Sequence, residues 1–314
     1  MLGRTANGLF WMFRYLERAE NTARLLDAGL RMSLTKDLVT AEEEWRSVIQ
    51  TAGQRPAYET QNQTYTGVQA WNFILRDKQN PMSVRAMVDA VRTNARVARN
   101  AISGEVWEAV NESWMQIEEA LSKPVGQGDL GDVLGMVRRG GTLVHGALGD
   151  SMLRDVGFHF ARAGMFVERT DSTARILDIK YYLLLPSLSY VGSSLDAGQW
   201  DTVLRSVSGD RAYRWLNAGT IDAKGIVEFL TLDDRFPRSI AYCQSALRDE
   251  LAALARLHKT EGTSNELMRE ADMRLTDKTV DDVFDVGLHQ FLVETMNTNS
   301  AIAHAIAEDY RFHA

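Results

Sequence analysis

The chain reads as an all-α protein, a helical bundle built from two tandem, pseudo-equivalent halves. Three observations predict this. Only five prolines occur in 314 residues, and the stretches between them carry apolar residues at three- and four-residue spacing. Alternating strand-like segments and hairpin turns are scarce. A charged stretch also returns. Leu16-Glu17-Arg18-Ala19-Glu20-Asn21-Thr22-Ala23-Arg24-Leu25-Leu26-Asp27 comes back 151 positions later as Val167-Glu168-Arg169-Thr170-Asp171-Ser172-Thr173-Ala174-Arg175-Ile176-Leu177-Asp178. Seven of the twelve positions are identical, and five of those are Glu, Arg, Thr, Arg and Asp. An apolar face recurs because only size and hydrophobicity matter; a specific set of charges needs a shared use.

The first helix is predicted over 5–32, with Met12, Leu16, Ala19, Ala23, Leu26 and Leu30 on one apolar face. At 1.5 Å per residue it is about 40 Å long. Helices follow near 40–52, 65–76, 82–102 and 105–121, then a loop over 122–129 and a helix near 130–148. The second charged helix is placed at 153–185, ended by Pro186. Later segments echo earlier ones in order: Trp45–Ile49 with Trp200–Leu204, Phe73–Asp77 with Phe229–Asp233, and Asn80–Val84 with Phe236–Ile240. The offsets grow from 151 to 156, as small loop insertions produce. Pro81 and Pro237 fit first helical turns. Asn80 fits the N-cap before the former, whereas Phe236 cannot cap the latter. Helices near 263–275 and 280–309 complete the tail. The halves divide as 1–150 and 151–314, with no low-complexity linker between them, and are expected to pack as one integrated bundle.

Hydrophobic content of 45% and charged content of 25% are globular values, and the length supplies a sizeable core. A net charge of −7 excludes a general nucleic-acid binder, which needs a basic stripe. The single cysteine, Cys243, allows no internal disulfide, points to a reducing compartment and reads as a small core residue. The apolar run at Leu9–Met12 is cut short by Arg14, Glu17 and Arg18, so no signal peptide is expected, and no run approaches the ~20 apolar residues of a membrane span. A soluble, cytoplasmic protein is expected.

On a helical wheel, Glu17, Glu20, Asn21, Arg24 and Asp27 form one polar stripe opposite the apolar face, and Glu168, Asp171, Ser172, Arg175 and Asp178 form its counterpart. Glu20–Arg24 and Asp171–Arg175 are i,i+4 pairs with the acid first, contributing about 0.2–0.5 kcal/mol each on a surface. Arg18 and Arg169 point about 100° away from their glutamates, so glutamate and arginine reach different neighbours. The candidate polar site is therefore Glu17, Arg18, Glu20, Arg24, Glu168, Arg169, Asp171 and Arg175. Three uses remain open: buried pairs that fix helix register, a shared polar cleft, or a solvated face.

Other chemistries find little in the sequence. The Glu-x-x-His pairs of di-iron bundles are absent from both charged helices. The six histidines show no metal-binding spacing, and no metal site is expected. His289 and His304 read as packing or surface residues. No phosphate-binding glycine loop appears. Gly140-Gly141, after Arg138-Arg139, reads as a helix break, with a phosphate contact as the alternative. Trp11, Trp45, Trp71 and Trp200 are spaced as core anchors.

The doubled Leu-Glu-Arg-Ala-Glu-x-x-Ala-Arg-Leu-Leu-Asp signature resembles the alpha-E (DUF403) family, which is named for an all-helical domain with a Glu-Arg motif, typically in tandem. Here the motif stands as Tyr15-Leu16-Glu17-Arg18-Ala19-Glu20 and, with Thr170 and Asp171 as departures, as Phe166-Val167-Glu168-Arg169-Thr170-Asp171. Leu2-Gly3-Arg4-Thr5-Ala6 and Gly287-Leu288-His289-Gln290-Phe291-Leu292 also resemble it, and the likeness covers essentially the whole chain. The resemblance implies a context. Family members are encoded beside, or fused to, ATP-grasp ligase-like and transglutaminase-like proteins, in systems that make or modify peptide bonds. It implies a non-catalytic partner or substrate-presenting component, with a peptide as substrate and with ATP and Mg entering only through the ligase. An enzyme using the paired Glu-Arg motifs on amide bonds, and a purely structural use of them, are the alternatives.

Overall fold

The computed structural model describes residues 1–34, 38–184, 194–217 and 221–312, with side chains undescribed at 38–40, 179–184 and 194–197. Pro186, the expected end of the second charged helix, lies outside them. Among the described residues there is no strand, and the protein is all-α. The helices are α1 (Gly3–Ser33), α2 (Leu38–Thr51), α3 (Arg55–Glu59), α4 (Gly67–Arg76), α5 (Val84–Val97), α6 (Gly104–Ala120), α7 (Gln127–Ser151), α8 (Val156–Leu184), α9 (Ser194–Ser206), α10 (Asp210–Leu216), α11 (Ala223–Thr231), α12 (Ile240–His258), α13 (Thr263–Leu275), α14 (Val280–Val286) and α15 (Leu288–Asp309). None of them is long and apolar enough to cross a membrane. Two expected helices are broken. The segment over 82–102 ends at Val97 and continues as a short 3-10 turn at Arg99–Ala101. The tail segment over 280–309 is interrupted at Gly287, whose φ of 96° is costly for any side chain.

The chain divides into two compact units, Trp11–Leu153 and Met1–Phe10 with Arg154–Ala314. In the first, Ala19, Ala23 and Leu26 of α1 pack with Trp45 and Ile49 of α2 and with Trp71, Phe73 and Ile74 of α4. The Trp45 and Trp71 rings meet edge-on at 5.4 Å. In the second, Ala174 and Leu177 of α8 pack with Trp200, Val203 and Leu204 of α9 and with Phe229 and Leu230 of α11. The start of α1 is fixed within this unit. Phe10 meets Phe312 at 5.5 Å, and a Cβ on Gly164 would stand 2.1 Å from the Phe10 carbonyl oxygen. A Cβ on Gly3 would fall 1.9 Å from the Arg311 carbonyl oxygen, so only glycine allows this approach.

Positions separated by about half the chain have like surroundings. Tyr58 of α3 and Tyr213 of α10 are both wholly buried and both set their rings across a phenylalanine, Phe73 at 5.1 Å and Phe229 at 5.5 Å. Burial pushes both phenols up to about 12. Ser83 and Ser239 cap α5 and α12, each accepting a hydrogen bond from the backbone N–H three residues on. This corrects the expected cap. Pro81 and Pro237 precede their helices instead of opening them, because the serine hydroxyls take the capping position. Asn80 is buried and donates to Gln54 Oε1 and to the Phe73 carbonyl, while its Oδ1 accepts from the Met82 N–H.

Candidate functional site

The polar stripe of α1 is not a solvated face. Glu17 is 0% exposed, Glu20 2%, and Asn21 and Arg24 each 8%. These residues sit at i, i+3, i+4 and i+7, one helical face, and that face lies against α7. The reason is in α7: Gly141 has no side chain, and a Cβ there would stand 1.8 Å from Glu20 Oε1 and 2.5 Å from its Cγ. Gly140 likewise admits Ser113 of α6, whose Cβ would lie 3.0 Å from an added methyl. Gly140-Gly141 is therefore neither a helix break nor a phosphate loop; it lies inside α7, where two neighbours come close.

One helical turn beyond Gly141, His145 turns its Nε2 toward both acids, 3.2 Å from Glu20 Oε1 and 3.6 Å from Glu17 Oε2. Phe13 packs on the imidazole at 5.6 Å. Arg24 donates to Glu20 Oε2 at 2.6 Å and to Asn21 Oδ1 at 3.0 Å. Further along the same two faces, Arg138 reaches Asp27 at 3.5 Å. Burial raises the Glu20 carboxyl, but the His145 imidazole beside it and the Arg24 guanidinium outweigh that and hold Glu20 below its ordinary value of 4.5. Glu20–Arg24 is thus a buried pair, one of the three uses left open by the sequence. Removing one partner of such a pair costs about 3–5 kcal/mol.

On α8, Glu168 is 1% exposed, and Thr170 and Thr173 are buried with it. Asp171 and Arg175 form the expected pair at 2.6 Å with Arg175 half exposed, which keeps this one a surface pair. Asn299 of α15 donates to the Val167 carbonyl at 2.8 Å. His289 Nδ1 is hydrogen-bonded to Asp178 Oδ1 at 2.5 Å, so it holds a polar partner as well as packing.

Arg18 and Arg169 leave their glutamates, as the wheel predicts. Each reaches the loop before the capping serine of its own unit: Arg18 donates to Met82 Sδ at 3.9 Å, and Arg169 to the Pro237 carbonyl at 3.2 Å. Thr173 adds a bond to the Arg238 carbonyl at 2.7 Å. In both units the glutamate faces inward and the arginine holds a loop.

Beside this face, between α1, α5, α6 and α7, a cavity of about 10 Å³ is lined by Leu16, Ala19, Val91, Val110 and Val144. It has room for at most about one water and none for a peptide. Sequence reading missed His145 and misread Gly141, because their partners lie over 120 residues away. The one available signal was Arg138, Gly141 and His145 at i, i+3 and i+7, a single face of α7.

A family model, Alpha-E, described as a predicted alpha-helical domain with a conserved ER motif, matches residues 1–310. Uncharacterized proteins of Mycobacterium bovis and Mycobacterium tuberculosis are each 24% identical over 269 residues. That match covers 80% of this chain and 30% of each relative, so the chain spans under a third of their length. No solved structure matches the chain.

Proposed function

The chain belongs to the Alpha-E family, and from that premise we propose that it is a non-catalytic helical partner, or substrate-presenting component, of a peptide-bond synthesis or modification system working with an ATP-grasp-type ligase in the cytoplasm. The observation that carries this reading is the complete burial of both motif glutamates, Glu17 and Glu168. A carboxylate that acts on a peptide must meet it, and these two are shut off from solvent. Each arginine reaches a loop of its own unit. The motif then serves to build each helical unit, and the work is done by outer surfaces. One such surface is α10, where Trp215 is 88% exposed beside Leu216, an apolar pair of the kind that anchors partner proteins. The relatives carry the matched segment within much longer chains, which suits a helical component joined to other parts. The like surroundings of Tyr58 and Tyr213 favour descent of 1–150 and 151–314 from one duplicated unit.

The test is co-expression with an ATP-grasp-type ligase encoded beside a gene of this family. The reading expects a complex on size exclusion and faster ATP-dependent amide formation by the ligase when this chain is present. No complex and no effect on rate would remove its support.

A further inference from the structure

We propose that Glu17, Glu20 and His145 bind one divalent transition-metal ion, of the zinc class, clamping α1 to α7. This stands independently of any ligase partner. Among the described residues these three form the one group of His, Cys, Asp or Glu whose donor atoms all converge, within 4.8 Å of one another.

The spacing fits a metal. A tetrahedral ion with bonds of about 2.0–2.2 Å sets neighbouring donors roughly 3.3–3.6 Å apart. His145 Nε2 lies 3.2 Å from Glu20 Oε1 and 3.6 Å from Glu17 Oε2. That nitrogen is shut off from solvent yet makes no hydrogen bond. A buried polar atom in that state is costly, and a bound cation relieves it. The donor set, one imidazole and two carboxylates, suits zinc and its neighbours rather than calcium or magnesium, which take oxygen alone.

The surroundings are those a metal site needs. Arg24 holds Glu20 Oε2 at 2.6 Å and so turns Oε1 toward His145. Phe13 packs on the imidazole and fixes its plane. Gly141 leaves the space that a side chain would fill. His145 as a whole is 21% exposed, although its Nε2 is covered. Among the described residues the α8 face has no such set: the buried residue of α15 that reaches its Glu168 turn is Asn299, whose amide donates to the Val167 carbonyl.

The full-length chain, stripped with a chelator and dialysed, is titrated with Zn²⁺ by calorimetry and with Co²⁺ by visible absorption. One equivalent should bind, with the intense d–d bands of a low-coordinate cobalt site and an affinity that rises with pH, because protons compete with the metal for its ligands. His145→Ala should lose more than the roughly 10–100-fold that removing an outer partner of a ligand costs. His304→Ala, a change at an exposed histidine of α15, should bind as the parent does. A second readout needs no variant: Zn²⁺ should protect His145 from diethyl pyrocarbonate, read by peptide mass. No stoichiometric binding, unchanged binding in His145→Ala, or equal modification of His145 with and without Zn²⁺ would each overturn the proposal.

Discussion

Gly141→Ala and Gly146→Ala place the same methyl group on the same helix and should change stability in opposite directions. Both lie inside α7, where alanine is favoured over glycine by about 1 kcal/mol. At Gly146 an added Cβ meets nothing within 4 Å, so that gain is kept. At Gly141 the Cβ falls 1.8 Å from Glu20 Oε1, 2.2 Å from Cδ and 2.5 Å from Cγ. Glu20 is a flexible side chain, but it is 2% exposed and tied to Arg24 at 2.6 Å. It can yield only by giving up that pair, at about 3–5 kcal/mol. Subtracting the propensity gain leaves Gly141→Ala about 2–4 kcal/mol less stable than the parent. The two variants should then differ by about 3–5 kcal/mol. Urea unfolding followed by circular dichroism measures both from the change in midpoint at constant slope. If Gly141→Ala proves as stable as Gly146→Ala, the close docking of Glu20 on α7 is wrong.

Three further outcomes follow from the same geometry. Glu20 lies below its ordinary 4.5 in the folded chain, so its contribution is fully present above about pH 4.5 and is lost as pH falls through the folded value. Acid unfolding curves of Glu20→Gln should accordingly be flatter there than the parent's, and equal slopes would contradict the assigned role of His145 and Arg24. Tyr58, Tyr213 and Tyr310, all pushed up to about 12 mainly by burial, should ionise last in an ultraviolet titration. Tyr58→Phe should remove part of that late component and none of the early one. Ser239→Ala should lower stability by about 1 kcal/mol through loss of the α12 cap, and Asn80→Ala should do so through lost buried hydrogen bonds rather than a lost cap, which native-state hydrogen exchange at the first amides of α5 can separate.

Much of the fold was legible because helix period and helix ends are local. The apolar positions of α1, the helix α13 over 263–275 and the stop before Pro124 all follow from spacing within one turn or two. The pairing of Tyr58 with Tyr213 was legible too, at an offset of 155, but a short helix such as α3 gives too weak a pattern to draw attention to it. Burial of the motif glutamates was one of three uses that the sequence left open, and what covers them was not legible. A wheel shows which residues share a face and not what that face meets, and polar residues on one face ordinarily read as solvated. Their cover comes from Gly141 and His145, residues whose meaning depends on the approach of a helix over a hundred positions away. The proline misreading has the same form: Pro81 fits a helix start, and only the extended backbone at Ser83 shows that the hydroxyl three residues before Ala86 is the true cap.

The proposed function has the Glu-Arg motif build each helical unit and act on no peptide. Glu168→Gln tests this most directly, by melting temperature and by the affinity of the folded fraction for the ATP-grasp-type ligase measured on the same sample. The account predicts a melting temperature lower by several degrees, since a group 1% exposed loses its charge among fixed partners, with affinity and ligase stimulation unchanged. A variant that melts with the parent yet fails to bind or to stimulate would contradict it.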